Sequence, residues 1–252
     1  MIDLAVVERF ALLLVRPGML VMLAPGLGGQ HIPAPVKIAL TALIALGLLP
    51  SVTVPRALPE MAMALVVARE VAIGMSLAIV LRALIVGAEF AGHLSGQQMG
   101  FNYGATIDPQ SGVRNNMLAI LYGSLATLGF LAINGHHALL RALAQSYSAL
   151  PIGIGHVAPS LLTSVREIFA LVFVVGLRLA APIVIVLLVV ELAVGLISRA
   201  SPSLSTMVIG YPIRILLGMT LLAALVGTIP AVTNSLLDSV LMTAANTARA
   251  FR

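Results

Sequence analysis

The sequence predicts an all-α, membrane-associated helical-hairpin protein, and three observations lead there. Of 252 residues, 60% are hydrophobic and 9% charged, where a soluble domain carries about a quarter charged residues. The apolar residues gather in six stretches, roughly 4–24, 36–49, 61–89, 117–133, 168–197 and 213–237. These stretches consist of Ala, Leu, Ile, Val and Met, a helical rather than a strand composition.

A bilayer core asks for about 20 consecutive apolar residues, and the six stretches meet that demand unequally. The first is broken at Arg16-Pro17-Gly18. The second runs only over 38–49 before Pro50. The third carries Arg69, Glu70 and Arg82, and the fifth carries Arg178, Pro182 and Glu191. The fourth, 117–133, and the last, 215–237, hold no charge and are plausible spans, although Pro230 and Asn234 weaken the end of the latter. An ionisable group at membrane depth costs at least about 2.5 kcal/mol, so the charged helices are expected to be shielded by protein rather than by lipid.

The loop charges fit the same expectation. Counting alternate connections, Lys37, Arg114, Arg199 and Arg214 oppose Arg56, Arg141, Arg166, Arg249 and Arg252, so the usual cytoplasmic excess of basic residues is missing. Tryptophan is absent and tyrosine occurs four times, which leaves the interfacial aromatic belt thin. Asp3 and Glu8 stand where a secretory signal would be basic, so the amino terminus is read as mature protein. With no repeat or linker, residues 1–252 read as a single helical domain.

Several function classes fall away. Without cysteine there is no thiolate nucleophile, disulfide or Cys-ligated metal. The net charge of +5 rests on arginines scattered singly, not on the contiguous basic patch that nucleic acid requires. Gly135-His136-His137 lacks a carboxylate at zinc-site spacing and reads as a loop or helix cap. No nucleotide-binding or hydrolase fingerprint occurs, so no enzyme, metal or cofactor is expected.

The most distinctive segment is Gly92-His93-Leu94-Ser95-Gly96-Gln97-Gln98-Met99-Gly100-Phe101-Asn102-Tyr103-Gly104, in a glycine-rich central loop expected at about 92–112. As a helix, Gly92, Gly96, Gly100 and Gly104 form a small-residue stripe that admits a close neighbour. As extended chain, Met99, Phe101 and Tyr103 share one side. Helix to about Gln98 followed by irregular chain reconciles the two, given the turn formers Asp108-Pro109 and Ser111-Gly112. Such a segment is either a connector packed on a neighbouring helix or a hydrophobic constriction that blocks ions by dewetting. The charges Arg69, Glu70, Arg82, Arg178 and Glu191 are expected to face partner subunits. In an alternative reading, a self-contained proton-coupled transporter, they would carry protons or bind a small anion.

The segments GHLSGQQMGFNYGATIDPQSG, VRPGMLVMLAPGLGGQHIPAPVKIAL, INGHHALLRALAQSYSALP and ELAVGLISRASPSLSTMVIGYPIRILLGM together resemble the FliR family of flagellar biosynthetic proteins, in the family's order and over most of the chain. The resemblance implies a subunit of the type III export gate in the bacterial inner membrane, at the flagellar basal body. It also implies assembly with FliP, FliQ and FlhB and conduction of unfolded flagellar proteins. The family's central loop lies in the pore as a plug, which would give that role to Gln97, Gln98, Met99, Gly100, Phe101 and Tyr103.

Overall fold

The computed structural model describes residues 4–29, 32–52, 60–101, 116–152, 160–201 and 206–228. Among them the chain is all-α, with no strand. Its helices are α1 (Leu4–Leu23), α2 (Ala34–Leu48), α3 (Glu60–Met99), α4 (Met117–Ala132), α5 (Gly135–Ala149), α6 (Ser160–Ala200) and α7 (Thr206–Leu225). Short 3-10 turns follow α2 at Leu49–Ser51 and α7 at Val226–Thr228.

Contacts divide the described residues into two compact units. One is drawn from Met1–Ala83 and Asn134–Ala170, the other from Leu84–Ile133 and Leu171–Leu236. Neither is continuous in sequence, because α3 and α6 contribute residues to both. In the first unit the buried side chains include Leu13 and Leu20 of α1, Ile73 and Leu77 of α3, and Leu139 and Leu143 of α5. The core of the second joins Ile85, Ala88, Ala91 and Met99 of α3 to Leu118, Tyr122 and Ala126 of α4. Ala180, Ile183 and Leu187 of α6 and Leu222 of α7 complete it.

Three expectations about the helices are corrected. Arg16-Pro17-Gly18 does not break the first stretch, since α1 runs through Pro17. The uncharged stretch 117–133 is not a full span: α4 has 16 residues and stops before Asn134, whose φ of 57° is left-handed. It reaches membrane length only as one broken span together with α5. The charged third and fifth stretches, disfavoured as spans, supply the longest candidates, Met63–Met99 and Thr163–Ala200. Ala34–Ser51 and Gly210–Thr228 are the other two helices long and apolar enough to cross a membrane. Charge does not disqualify the long pair because 37 residues rise about 55 Å, well beyond a hydrocarbon core of about 30 Å, and because Glu70 is neutralised inside the protein. The end of the 215–237 stretch, with Pro230 and Asn234, lies outside the described residues, as do Arg56, Arg114, Arg249 and Arg252.

Candidate functional site

The glycine-rich segment divides at Gly100. Up to Met99 it is helix, in line with the expected helix end at about Gln98, so the loop placed at about 92–112 begins at Gly100 rather than at 92. The amide of Gly100 donates to the carbonyl of Gln97 at 3.1 Å, and that of Phe101 to Gly96 at 3.0 Å. These two bonds form a Schellman end, which requires a left-handed residue after the last helical one. Gly100 supplies it with φ +86°, where a side chain would be strained.

The glycines before it serve packing. A Cβ at Gly92 would lie 2.5 Å from the Cα of Ala119 on α4, and one at Gly96 would collide with the Asn116 side chain. Asn116 caps α4: its Oδ1 accepts from the Leu118 amide at 3.0 Å. Its Nδ2 donates to the carbonyls of His93 at 3.3 Å and Gly92 at 3.4 Å. The point where the chain returns from residues 102–115 is thereby fastened to the helix it left.

The end of α3 also meets α7. Met99 is fully buried, and its side chain occupies the space a Cβ on Gly218 would need. The ring of Tyr211 covers Gly100, with Cδ1 and Cε1 each 2.6 Å from where a Cβ would stand. Tyr211, Arg214 and Gly218 follow the i, i+3, i+7 spacing of one helix face. Of the residues assigned to a plug, Gln97 is exposed, Gln98 is half-buried, Met99 is buried and Phe101 is 40% exposed. Tyr103 and Gly104, with the turn formers Asp108-Pro109 and Ser111-Gly112, lie outside the described residues.

The charges expected at partner surfaces are dispersed. Arg69 is half-buried, while Arg82 and Arg178 are exposed. Glu191 pairs with Arg214 of α7 at 3.3 Å. Glu70, expected to face a partner, is fully buried and bound to Arg16 of its own chain. Arg16 Nε and Nη2 both donate to the Glu70 carboxylate, the second at 3.1 Å. Nη1 reaches Ser146 Oγ at 3.1 Å, and Nη2 also reaches the carbonyl of Leu150 at 2.7 Å. The guanidinium thus sits at the carboxyl-terminal end of α5, where the helix dipole favours a cation. It lies 4.4 Å from the Tyr147 ring centroid.

Sequence reasoning treated Arg16-Pro17 only as a helix breaker and missed this centre. A signal was present: Pro17 has no N–H, so the carbonyl of Leu13, four residues earlier, loses its helical donor. Tyr147 Oη supplies the missing bond at 3.0 Å. Gly74, one turn after Glu70, lets α3 approach, since a Cβ there would lie 3.0 Å from the Cα of Arg16. Asn116, Tyr211, Arg214 and Gly218 were likewise not recognised as supports of the loop. His136 and His137, at the start of α5, have ring centroids 4.3 Å apart, and no group of three metal-ligating residues exists among the described residues.

Long apolar helices packed around buried, internally paired charge define a polytopic helical membrane protein. Residues 7–240 match one family over nearly the whole chain, and the protein belongs to it: the bacterial export proteins, family 1. Flagellar biosynthetic protein FliR of Escherichia coli (strain K12) is 33% identical over 213 residues, covering 84% of this chain and 82% of that protein. The FliR of Pectobacterium carotovorum subsp. carotovorum is 32% identical over 237 residues, 93% of this chain and 90% of its own. That of Bacillus subtilis (strain 168) is 25% identical over 243 residues, 94% of this chain and 93% of its own. The resemblance to the FliR family therefore holds along the chain and is not confined to the glycine-rich segment.

Proposed function

We propose that the chain is a structural and gating subunit of the flagellar type III protein export channel in the bacterial inner membrane. In this reading it assembles with FliP-, FliQ- and FlhB-type proteins at the flagellar basal body and conducts unfolded export substrates. The segment beginning at Gln97 and passing through Phe101 and Tyr103 closes the resting pore.

The observation that carries the assembly is the large exposed apolar surface of α6. Phe169, Phe173, Leu177, Ile185, Val189, Leu192 and Ile197 are each more than half exposed, and only 22% of Thr163–Ala200 is buried, against 67% of Met63–Met99. From Phe169 to Ile197 the helix rises about 42 Å, more than the roughly 30 Å a bilayer can cover without steep tilt. Arg178, on the same helix, is exposed with no ion-pair partner among the described residues. Protein cover answers both facts; lipid alone answers neither.

The alternative of a self-contained proton-coupled transporter is disfavoured because Glu70, the deepest carboxylate named for it, is tied to Arg16. The test is ion conductance of the assembled complex in planar bilayers after deletion of residues 100–104. An increased leak is expected, and unchanged conductance removes the gating role. Solute uptake by the purified chain alone under a proton gradient would support the transporter instead.

A further inference from the structure

We propose that Arg178 is a docking point for a carboxylate carried on an apolar helix of a partner subunit, and that this helix lies along the stripe formed by Val174, Ile185, Val189, Leu192 and Leu196 of α6. The inference rests on the assembly reading and names the chemistry of the partner that covers α6. With Arg178 and Ala181, the five apolar residues recur every three or four positions, which keeps them on one side of the helix. They are 43%, 59%, 62%, 69% and 68% exposed. The opposite side, with Ile183, Leu187 and Val194, is buried in its own chain. One cation therefore stands near the end of an apolar strip that continues beyond it for about 27 Å.

Lipid alone does not suit this strip. Between Glu167 and Arg199, any run of about 20 residues, the length a bilayer core takes, includes Arg178, Glu191 or both. Glu191 is answered within the chain by Arg214, whereas Arg178 has no ion-pair partner among the described residues. A bilayer boundary set at Arg178 would let its head reach the interface. It would also leave Phe169, Phe173 and Leu177, each more than half exposed, outside the hydrocarbon on the other side.

The chain itself shows how such a demand is met. In α1 an arginine stands beside a helical proline, and Glu70 neutralises Arg16 while Tyr147 Oη serves the carbonyl that Pro17 deprives of its donor. In α6 Pro182 follows Arg178 by four residues, so the carbonyl of Arg178 loses its ordinary helical donor. Charge and carbonyl again coincide, here on an exposed residue. An apolar helix laid on the strip takes Arg178 out of water, and only an anion offsets that loss of hydration. A carboxylate does so with two parallel hydrogen bonds to the guanidinium.

The test uses the chain coexpressed with its FliP-, FliQ- and FlhB-type partners. A photoreactive amino acid replaces Val174 or Ile185, which flank Arg178, and the adducts are mapped by mass spectrometry. The expected adduct is a partner's apolar peptide with Asp or Glu within one helical turn of the attachment point. Arg178→Gln is expected to lower the proportion of copurified partner about tenfold or more, and Arg178→Lys, which keeps the charge, to lower it less. Reversing the mapped carboxylate to Arg should restore copurification with Arg178→Glu. Adducts to phospholipid or to a second copy of this chain, or a partner peptide without a carboxylate within a turn, overturn the proposal while copurification of the wild-type set keeps the assembly reading. If the wild-type chain copurifies with no partner, the assembly reading itself falls. Should Arg178→Glu fail to accumulate, Arg178→Gln decides: an unchanged proportion of partner refutes the docking point.

Discussion

Arg16 and Glu70 are each 0% exposed, and removal of either leaves the other as a bare charge in a low-dielectric interior. Breaking a buried pair in this way costs about 3–5 kcal/mol. Arg16→Ala and Glu70→Ala are accordingly expected to lower the thermal unfolding midpoint steeply or abolish accumulation. The double variant Arg16→Met/Glu70→Leu, which leaves no orphan charge, should recover much of the loss. Because the pair is sealed from solvent, the wild-type midpoint should change little between low and high salt through this contact. Tyr147→Phe isolates a smaller term. It keeps the ring beside Arg16 but leaves the Leu13 carbonyl without its donor, a cost of about 1–3 kcal/mol. Circular dichroism melting of the detergent-solubilised protein would read all of these.

Among elements, α3 depends on how closely its glycines let other helices approach. Besides the contacts of Gly92, Gly96 and Gly100, a Cβ at Gly87 would lie 2.7 Å from the Cβ of Val175 on α6 and 3.0 Å from the Val172 carbonyl. The neighbouring Phe90 and Phe173 rings meet edge to face at 5.5 Å. Gly92→Ala, whose new methyl would meet backbone, is expected to destabilise by about 1–3 kcal/mol through overpacking. Gly47 in α2 has nothing within 4 Å of such a methyl, so Gly47→Ala should raise the melting midpoint of the isolated chain, by about 0.5–1 kcal/mol of helix propensity. The four-residue spacing of Gly92, Gly96 and Gly100 was legible in the sequence as a packing stripe. The helix end was legible too, at about Gln98 against the observed Met99; that Gly100 itself is the left-handed residue of the stop was not, because a stripe and a stop use the same residue and differ only in φ.

At the scale of the whole molecule, the exposed apolar surface of α6 is the feature left without cover within one chain. If sister subunits cover it, Arg178→Glu should abolish copurification of the other gate proteins in fixed proportion while leaving the helical circular dichroism of this chain unchanged. Retention of the full set of partners would place Arg178 outside the interface. The weak loop-charge asymmetry and sparse aromatic belt belong to the same account, since a chain largely wrapped by protein has less need of either.

Composition and the layout of the apolar stretches by themselves determined that the protein is helical, membrane-associated and without cysteine, because those properties follow from the sum and order of side chains along the chain. They also marked the glycine-rich segment and the charges that do not suit lipid. Only the tertiary structure decided that α1 passes through Pro17, that Glu70 is bound to Arg16 rather than presented outward, and that Tyr211 sits on Gly100. Each of these depends on a partner far away in sequence: Tyr147 lies 134 residues from the carbonyl it completes, and Glu70 lies 54 from its arginine. A buried charge or an unmatched carbonyl can be read locally as a demand for a partner, but which residue meets that demand is fixed by packing.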